Sequence, residues 1–163
     1  MLEIKFHWYE VSVAIHIVNL RHVESLRKGL RDAHGYKGRD MQDNLWGVLG
    51  EIGFAKAMNV YYPMTVNTFK QADVGRNWQV RTVGSNKNRS LLIRPVDPTP
   101  HKYMLVEVYK DKYAFTYHAK LLGWIEGIDG KDDKYLTDCG HPDRPKVYRI
   151  PQKDLRDSIL ATA

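Results

Sequence analysis

Apolar and polar positions alternate or cluster along this chain in patterns that predict helices first and strands afterwards. Residues 2–6 (LEIKF) read as a short strand. Over residues 8–30, Trp8, Val11, Ala14, Ile15, Val18, Val23, Leu26 and Leu30 approximate helical spacing and predict a first helix. The run VSVAIHIV (11–18) within it is β-branched enough to pass for a strand, so both readings stand at this point. His16 and His22 lie on or beside this element and read as surface or boundary residues. Residues 31–42 (RDAHGYKGRDMQ) are polar, contain glycine, and predict a loop. Asp43 offers an oxygen to cap a second helix running to about Met58. Beyond residue 61 the period changes to that of strands: NWQVRTV (77–83), SLLIRP (90–95), YMLVEVY (103–109), KYAFTYH (112–118), GWIEG (123–127) and VYRIP (147–151). A charged loop is expected at 128–146 and a short terminal helix at Gln152–Leu160. Two helices followed by several strands predict an α/β (α+β) fold, with one central mixed sheet flanked by helices.

Composition narrows the setting. The 163 residues carry no repeat and no Pro/Gly/Ser linker, which predicts a single domain over residues 1–163. No apolar run approaches the roughly 20 residues of a membrane helix. The opening MLEIKFHWYE is interrupted by acids and a histidine, unlike a signal peptide. Cys139 is the only cysteine, which excludes an intramolecular disulfide and leaves a cytoplasmic setting as the expectation. With 25 Lys+Arg against 19 Asp+Glu, the net charge is +6. That sign favours a polyanion such as nucleic acid, although many basic proteins serve other partners.

The second helix, GVLGEIGFAKAM (47–58), is apolar nearly all round, and a helix of that kind is usually buried. Glu51 then projects from a small-residue face, where an ionised carboxylate is costly unless a cation, a metal or a strong donor meets it. Two readings follow: a core salt bridge with an arginine, or a functional site. Gly47, Gly50 and Gly53 each cost about 1 kcal/mol against Ala in a helix interior, which predicts close approach of another element. Downstream, ADVGRNWQVRTV (72–83) places Asp73 before a glycine turn and a strand. Alternation puts Trp78, Val80 and Thr82 on one face and Gln79, Arg81 and Val83 on the other. If the turn brings Asp73 alongside, polar groups converge beside a sheet. The same residues would also make an ordinary solvated edge strand.

A helix acid in a G-x-x-G-E setting, then D-V-G, then a strand reading Q-V-R, resembles the PD-(D/E)XK nuclease-like superfamily, whose fold is restriction-endonuclease-like. The layout, including GWIEG and the closing IPQKDL, is similar to small bacteriophage proteins of this kind, and a phage-encoded chain would act in the host cytoplasm. The resemblance implies a metal-dependent nuclease acting on DNA with Mg²⁺ or Mn²⁺. Asp73 would match the first acid, Gln79 the second, Arg81 the lysine and Glu51 the helix glutamate. Asp73, Glu51, Gln79 and the Val80 carbonyl would hold the metal. Gln79 stands where the family has a carboxylate, so one ligand would be a neutral amide oxygen. Arg81 stands for lysine; it can stabilise charge on a phosphate but not act as a general base. These departures leave open a catalytically inactive nuclease-fold protein that binds nucleic acid or serves assembly. Nucleases of this type often pair, so a homodimer belongs to the expectation, with no dimer face marked in the sequence.

Remaining features carry less chemistry. Lys87 and Arg89 (SNKNRS, 85–90) and Arg94 are candidates for holding phosphates, or else belong to a solvated loop. Asp97, between prolines in RPVDPTPHKY, could reach the mouth of the site but reads first as a turn former. Asp129, Asp132 and Asp133 lack calcium-loop spacing, and Cys139 with His141 lacks the paired cysteines of a zinc site.

Overall fold

The computed structural model of the protein describes residues 2–29, 40–66, 71–85, 89–114 and 116–157. Strand β1 (Leu2–Lys5) leads into helix α1 (Trp8–Arg27), which starts where the Glu10 carboxylate accepts from the His7 N–H at 2.7 Å. Helix α2 spans Asp40–Ala57. It begins four residues earlier than a cap at Asp43 implies, so Asp43 lies in its first turn, where an acid still complements the exposed N–H groups. Strands β2 (Trp78–Gly84), β3 (Ser90–Ile93), β4 (Lys102–Lys110) and β5 (Tyr117–Glu126) follow, then a short helix α3 (Gly127–Gly130) and strands β6 (Leu136–Thr137) and β7 (Val147–Pro151).

The plan is α+β with two sheets. The larger is mixed, in the order β1-β5-β4-β2, with β2 parallel to β4 and the other pairs antiparallel. The smaller, β3-β7-β6, is antiparallel. Helices α1 and α2 cover only one face of the larger sheet, through Ile17, Val18, Val48, Phe54, Met104 and Val106. The opposite face packs on the smaller sheet through Leu91, Ile93, Tyr103, Leu105, Leu122 and Ile150. A sheet flanked by helices was the expectation; a second sheet takes one flank instead. The sandwiching explains why β4 is buried at six consecutive positions rather than alternately.

Other expected elements shift for local reasons. KYAFTYH does not form a strand of its own, because the Asp111 carboxylate accepts from the Tyr113 and Ala114 N–H groups and turns the chain. The strand starts only at Tyr117 and absorbs the segment expected as a separate GWIEG strand. The closing helix is reduced to a 3₁₀ turn, Gln152–Asp154, and the remainder of that expectation beyond residue 157 lies outside the described residues. The loop expected at 128–146 contains α3, a 3₁₀ turn at Asp133–Tyr135 and β6. Among the described residues no helix is long and apolar enough to cross a membrane.

α2 lies against the sheet where its glycines allow it. A methyl group at Gly50 would collide with the hydroxyl of Thr82 on β2, and one at Gly53 would come within 2.7 Å of Ala119 on β5. Gly47 departs from the expectation, with nothing within 4 Å of such a methyl. Gly50→Ala is therefore expected to destabilise the protein by about 2 kcal/mol, since Thr is stiff and the contact is unavoidable. Gly47→Ala should instead stabilise it by about 1 kcal/mol through helix propensity. Urea unfolding of the two variants checks the pair, and equal effects would contradict the packing described.

Candidate functional site at the open edge of the main sheet

β2 is an edge strand, paired on one side with β4 and open on the other. The segment before it folds back on that open side. Gly75, at φ +61°, makes a turn that most other residues would resist, and it pairs Val74 with Trp78. The Asp73 carboxylate is thereby laid along the strand, where its Oδ2 accepts from the Val80 N–H at 2.8 Å. The turn thus brings Asp73 alongside the strand, as the sequence suggested it could.

Side chains of β2 divide as alternation requires. Val80 joins the helix-side core and Thr82 meets Gly50, whereas Val83 packs toward the smaller sheet and Arg81 lies over the Tyr103 ring at 5.5 Å. Gln79 is buried, and its amide nitrogen is committed to the Gln71 carbonyl (2.7 Å) and to His101 Nδ1 (3.2 Å). Its oxygen is left to face Arg81. One guanidinium nitrogen of Arg81 reaches both Gln79 Oε1 and the Val80 carbonyl at 3.3 Å and lies 3.8 Å from Asp73. The other donates to Asp97 Oδ2 at 2.9 Å. Asp97 does form a turn, accepting from the Arg94 N–H at 2.9 Å with the same oxygen. Lys131 fixes that loop by donating to the Pro95 and Asp97 carbonyls and to the Thr99 hydroxyl.

Glu51 approaches from the helix layer. Arg21 of α1 forks onto its two oxygens at 3.2 and 2.8 Å, and the Tyr62 hydroxyl donates to Oε2 at 2.6 Å. Arg21 also donates to the Thr65 carbonyl. The arginine salt bridge, one of the two readings left open by the sequence, is therefore present. Burial, together with the Glu51 carboxylate, pushes the Tyr62 hydroxyl well above its ordinary pKa, so it stays a donor. Glu51 is also close enough to act on Asp73. Burial first, and Glu51 second, push the Asp73 carboxyl up to about 6, against opposing effects of the Val80 N–H, Arg81 and Arg21. Two carboxylates thus share one electrostatic neighbourhood without enough positive charge to hold Asp73 at its usual value.

As a cation site, the donor set around Asp73 is all oxygen, its carboxylate, the Gln79 amide oxygen and the Val80 carbonyl, and the position a cation would take among them is the one the Arg81 nitrogen now holds, at 3.3 Å from the last two and 3.8 Å from Asp73. That chemistry fits a hard cation such as Mg²⁺. The Glu51 oxygens are already taken by Arg21 and Tyr62, which makes Glu51 a neighbouring charge in this arrangement. Among the described residues no group of three or more His, Cys, Asp or Glu side chains is placed to hold a metal.

The site thus gathers Glu51, Asp73, Gln79, Val80 and Arg81. Of the candidate phosphate contacts, Arg94 adjoins the site through its N–H bond to Asp97. Arg89 sits at the opposite end of β3 and donates to both oxygens of the buried Glu107, at 2.9 and 3.1 Å. Lys87 lies outside the described residues. Sequence reasoning passed over Arg21, Tyr62 and His101, and read Asp97 first as a turn former that could also reach the mouth of the site, which it does through Arg81. Arg21 had left a signal: it falls three residues after Val18 and four after Ile17, on the stripe that α1 buries. No family model, no curated protein and no solved structure matches this chain.

Proposed function

We propose that the protein is a metal-dependent nuclease of the PD-(D/E)XK type, with a restriction-endonuclease-like fold, cleaving phosphodiester bonds of DNA with Mg²⁺ or Mn²⁺. The observation that carries this reading is the under-neutralised Asp73. Its carboxyl is pushed up to about 6 by burial and by Glu51, at an edge where the Gln79 and Val80 oxygens meet the same Arg81 nitrogen. A half-buried acid beside a buried one is stabilised by an added cation. Asp73, Gln79 and Val80 would hold the ion, with Glu51 adding negative charge behind them. Bound there, Mg²⁺ supplies a water of lowered pKa and polarises a phosphate oxygen. Arg81 is the group of this chain that meets the phosphate, its fork stabilising the charge that develops there. Asp97 keeps that fork oriented, and His101 with the Gln71 carbonyl keeps the Gln79 oxygen turned toward it. The net charge of +6 favours a polyanionic substrate.

A second reading has its own observation. Arg21 on Glu51, and Arg81 on Gln79, Val80 and Asp97, already provide fixed positive charge at the same oxygens. A nuclease-fold protein that binds nucleic acid without cutting it would be built this way. Calorimetric titration of Mn²⁺ into the purified protein, beside a cleavage assay on DNA, separates the two. Mn²⁺ binding and EDTA-sensitive cleavage are expected. Absence of both, with salt-sensitive DNA binding retained, would reject the nuclease in favour of the binding module.

A further inference from the structure

We propose that the Arg81 guanidinium is a built-in competitor for the cation position, exchanging its inner nitrogen for a divalent ion while Asp97 keeps hold of the outer one. This exchange rests on the metal-site reading above and supplies the event that opens the site. The inner nitrogen stands 3.3 Å from Gln79 Oε1, 3.3 Å from the Val80 carbonyl and 3.8 Å from Asp73 Oδ2. Those are the oxygens a hard cation would take, and they surround one point at the open edge of β2. Mg²⁺ holds its oxygens at about 2.1 Å, so an ion and the guanidinium nitrogen exclude one another there.

The two ends of the Arg81 fork are held unequally, which decides the end that yields. At the outer end a charge-assisted bond of 2.9 Å runs to Asp97 Oδ2. Asp97 is itself fixed, accepting from the Arg94 N–H through its side chain and from Lys131 through its carbonyl. Its side chain is 14% exposed, against 26% for Asp73. The inner contacts are longer, and those at 3.3 Å end on neutral oxygens. The 3.8 Å to the Asp73 carboxylate is too long for a hydrogen bond. A divalent charge set closer to the same oxygens attracts them more strongly, because Coulomb energy grows with charge and falls with distance. The Tyr103 ring, 5.5 Å from the guanidinium carbon, gives Arg81 a surface along which to withdraw. Its released nitrogen is then free for a phosphate oxygen, so the exchange that loads the site also readies Arg81 for the substrate.

The test is calorimetric titration of Mn²⁺ into the full chain, wild type beside Arg81→Met. Removing the competitor is expected to tighten Mn²⁺ binding by about tenfold or more, as when an arrangement open about a tenth of the time becomes the rule. Arg81→Gln, neutral yet still able to donate to Asp97, is expected to tighten binding in the same direction and serves should the methionine variant not fold. Arg94→Met removes an equal charge from an exposed neighbour on the loop and is expected to change the affinity by less than about threefold. Equal affinities in wild type and Arg81 variants overturn the exchange and leave the cation site standing. A gain in Arg94→Met as large as in Arg81→Met overturns it too, since net charge alone would then be at work. A wild type that binds no Mn²⁺, beside an Arg81→Met that does, upholds Arg81 as the competitor and overturns the nuclease. Absence of binding in every variant overturns both.

Discussion

Asp73→Asn is expected to stabilise the protein at pH 8 while removing the cleavage proposed for it. The Asp73 carboxyl stands at about 6 in the folded protein, against 3.8 for the free group. A carboxyl raised in this way holds its proton more tightly in the folded state than in the unfolded one. Stability contributed by that proton is fully present below about pH 4 and is lost as the pH passes through about 6. Above that range the ionised Asp73 costs about 2–3 kcal/mol. Asparagine removes the charge and keeps an oxygen for the Val80 N–H. Urea unfolding at pH 4 and pH 8 checks the expectation: the variant should gain at pH 8 and match the wild type at pH 4. A variant less stable than the wild type at pH 8 would show Asp73 to be a structural acid. Under the proposed nuclease function, cleavage of DNA in Mg²⁺ should fall by at least about 100-fold in the same variant, as expected when a metal-holding carboxylate is lost. Saturating Mg²⁺ should raise only the wild type's stability, by about 2.7 kcal/mol at a hundred times the dissociation constant.

Arg21→Met is expected to carry the largest stability cost of any single change at the site. Glu51 is buried, and Arg21 holds both of its oxygens, so truncation leaves the carboxylate with Tyr62 alone. Breaking a buried pair from one side costs about 3–5 kcal/mol. The double variant Arg21→Met with Glu51→Met removes the stranded charge and should recover more than half of that loss. Recovery stays incomplete because the bond from Arg21 to the Thr65 carbonyl is lost in both variants. A double-mutant cycle by urea unfolding reads the coupling directly. A single Arg21 variant within about 0.5 kcal/mol of wild type would place the pair among ordinary surface ion pairs. Loss of Arg21 also removes one of the charges that lower Asp73, so the pH at which stability declines should move upward.

Much of the site was legible because its residues lie close together in sequence and obey short-range periods. Gln79 and Arg81 share a face by alternation alone. Asp73 comes alongside because a glycine turn five residues long needs no distant partner. The lone acid on the apolar face of α2 announced that something must meet it, and Gly50 announced the strand that α2 lies against. What met Glu51 was not legible. Arg21 is 30 residues away on another helix, and its stripe was obscured by the exposed apolar residues of α1, of which Trp8, Val23 and Leu26 remain in solvent. Asp97 read as a turn former and is one, but its second bond, to Arg81, depends on how β3 and the loop after it lie against β2.

By itself, then, the amino-acid order determined the helix-then-strand plan, the buried glutamate, and the face that Gln79 and Arg81 share, all consequences of periods of 3.6 and 2 acting within single elements. Only the tertiary structure decided the rest: the second sheet in place of a helical flank, Arg21 on Glu51, Asp97 on Arg81, and the apolar side of α1 left in water. Each of these joins segments far apart in sequence, and such pairings are selected by packing and charge compensation in the assembled core.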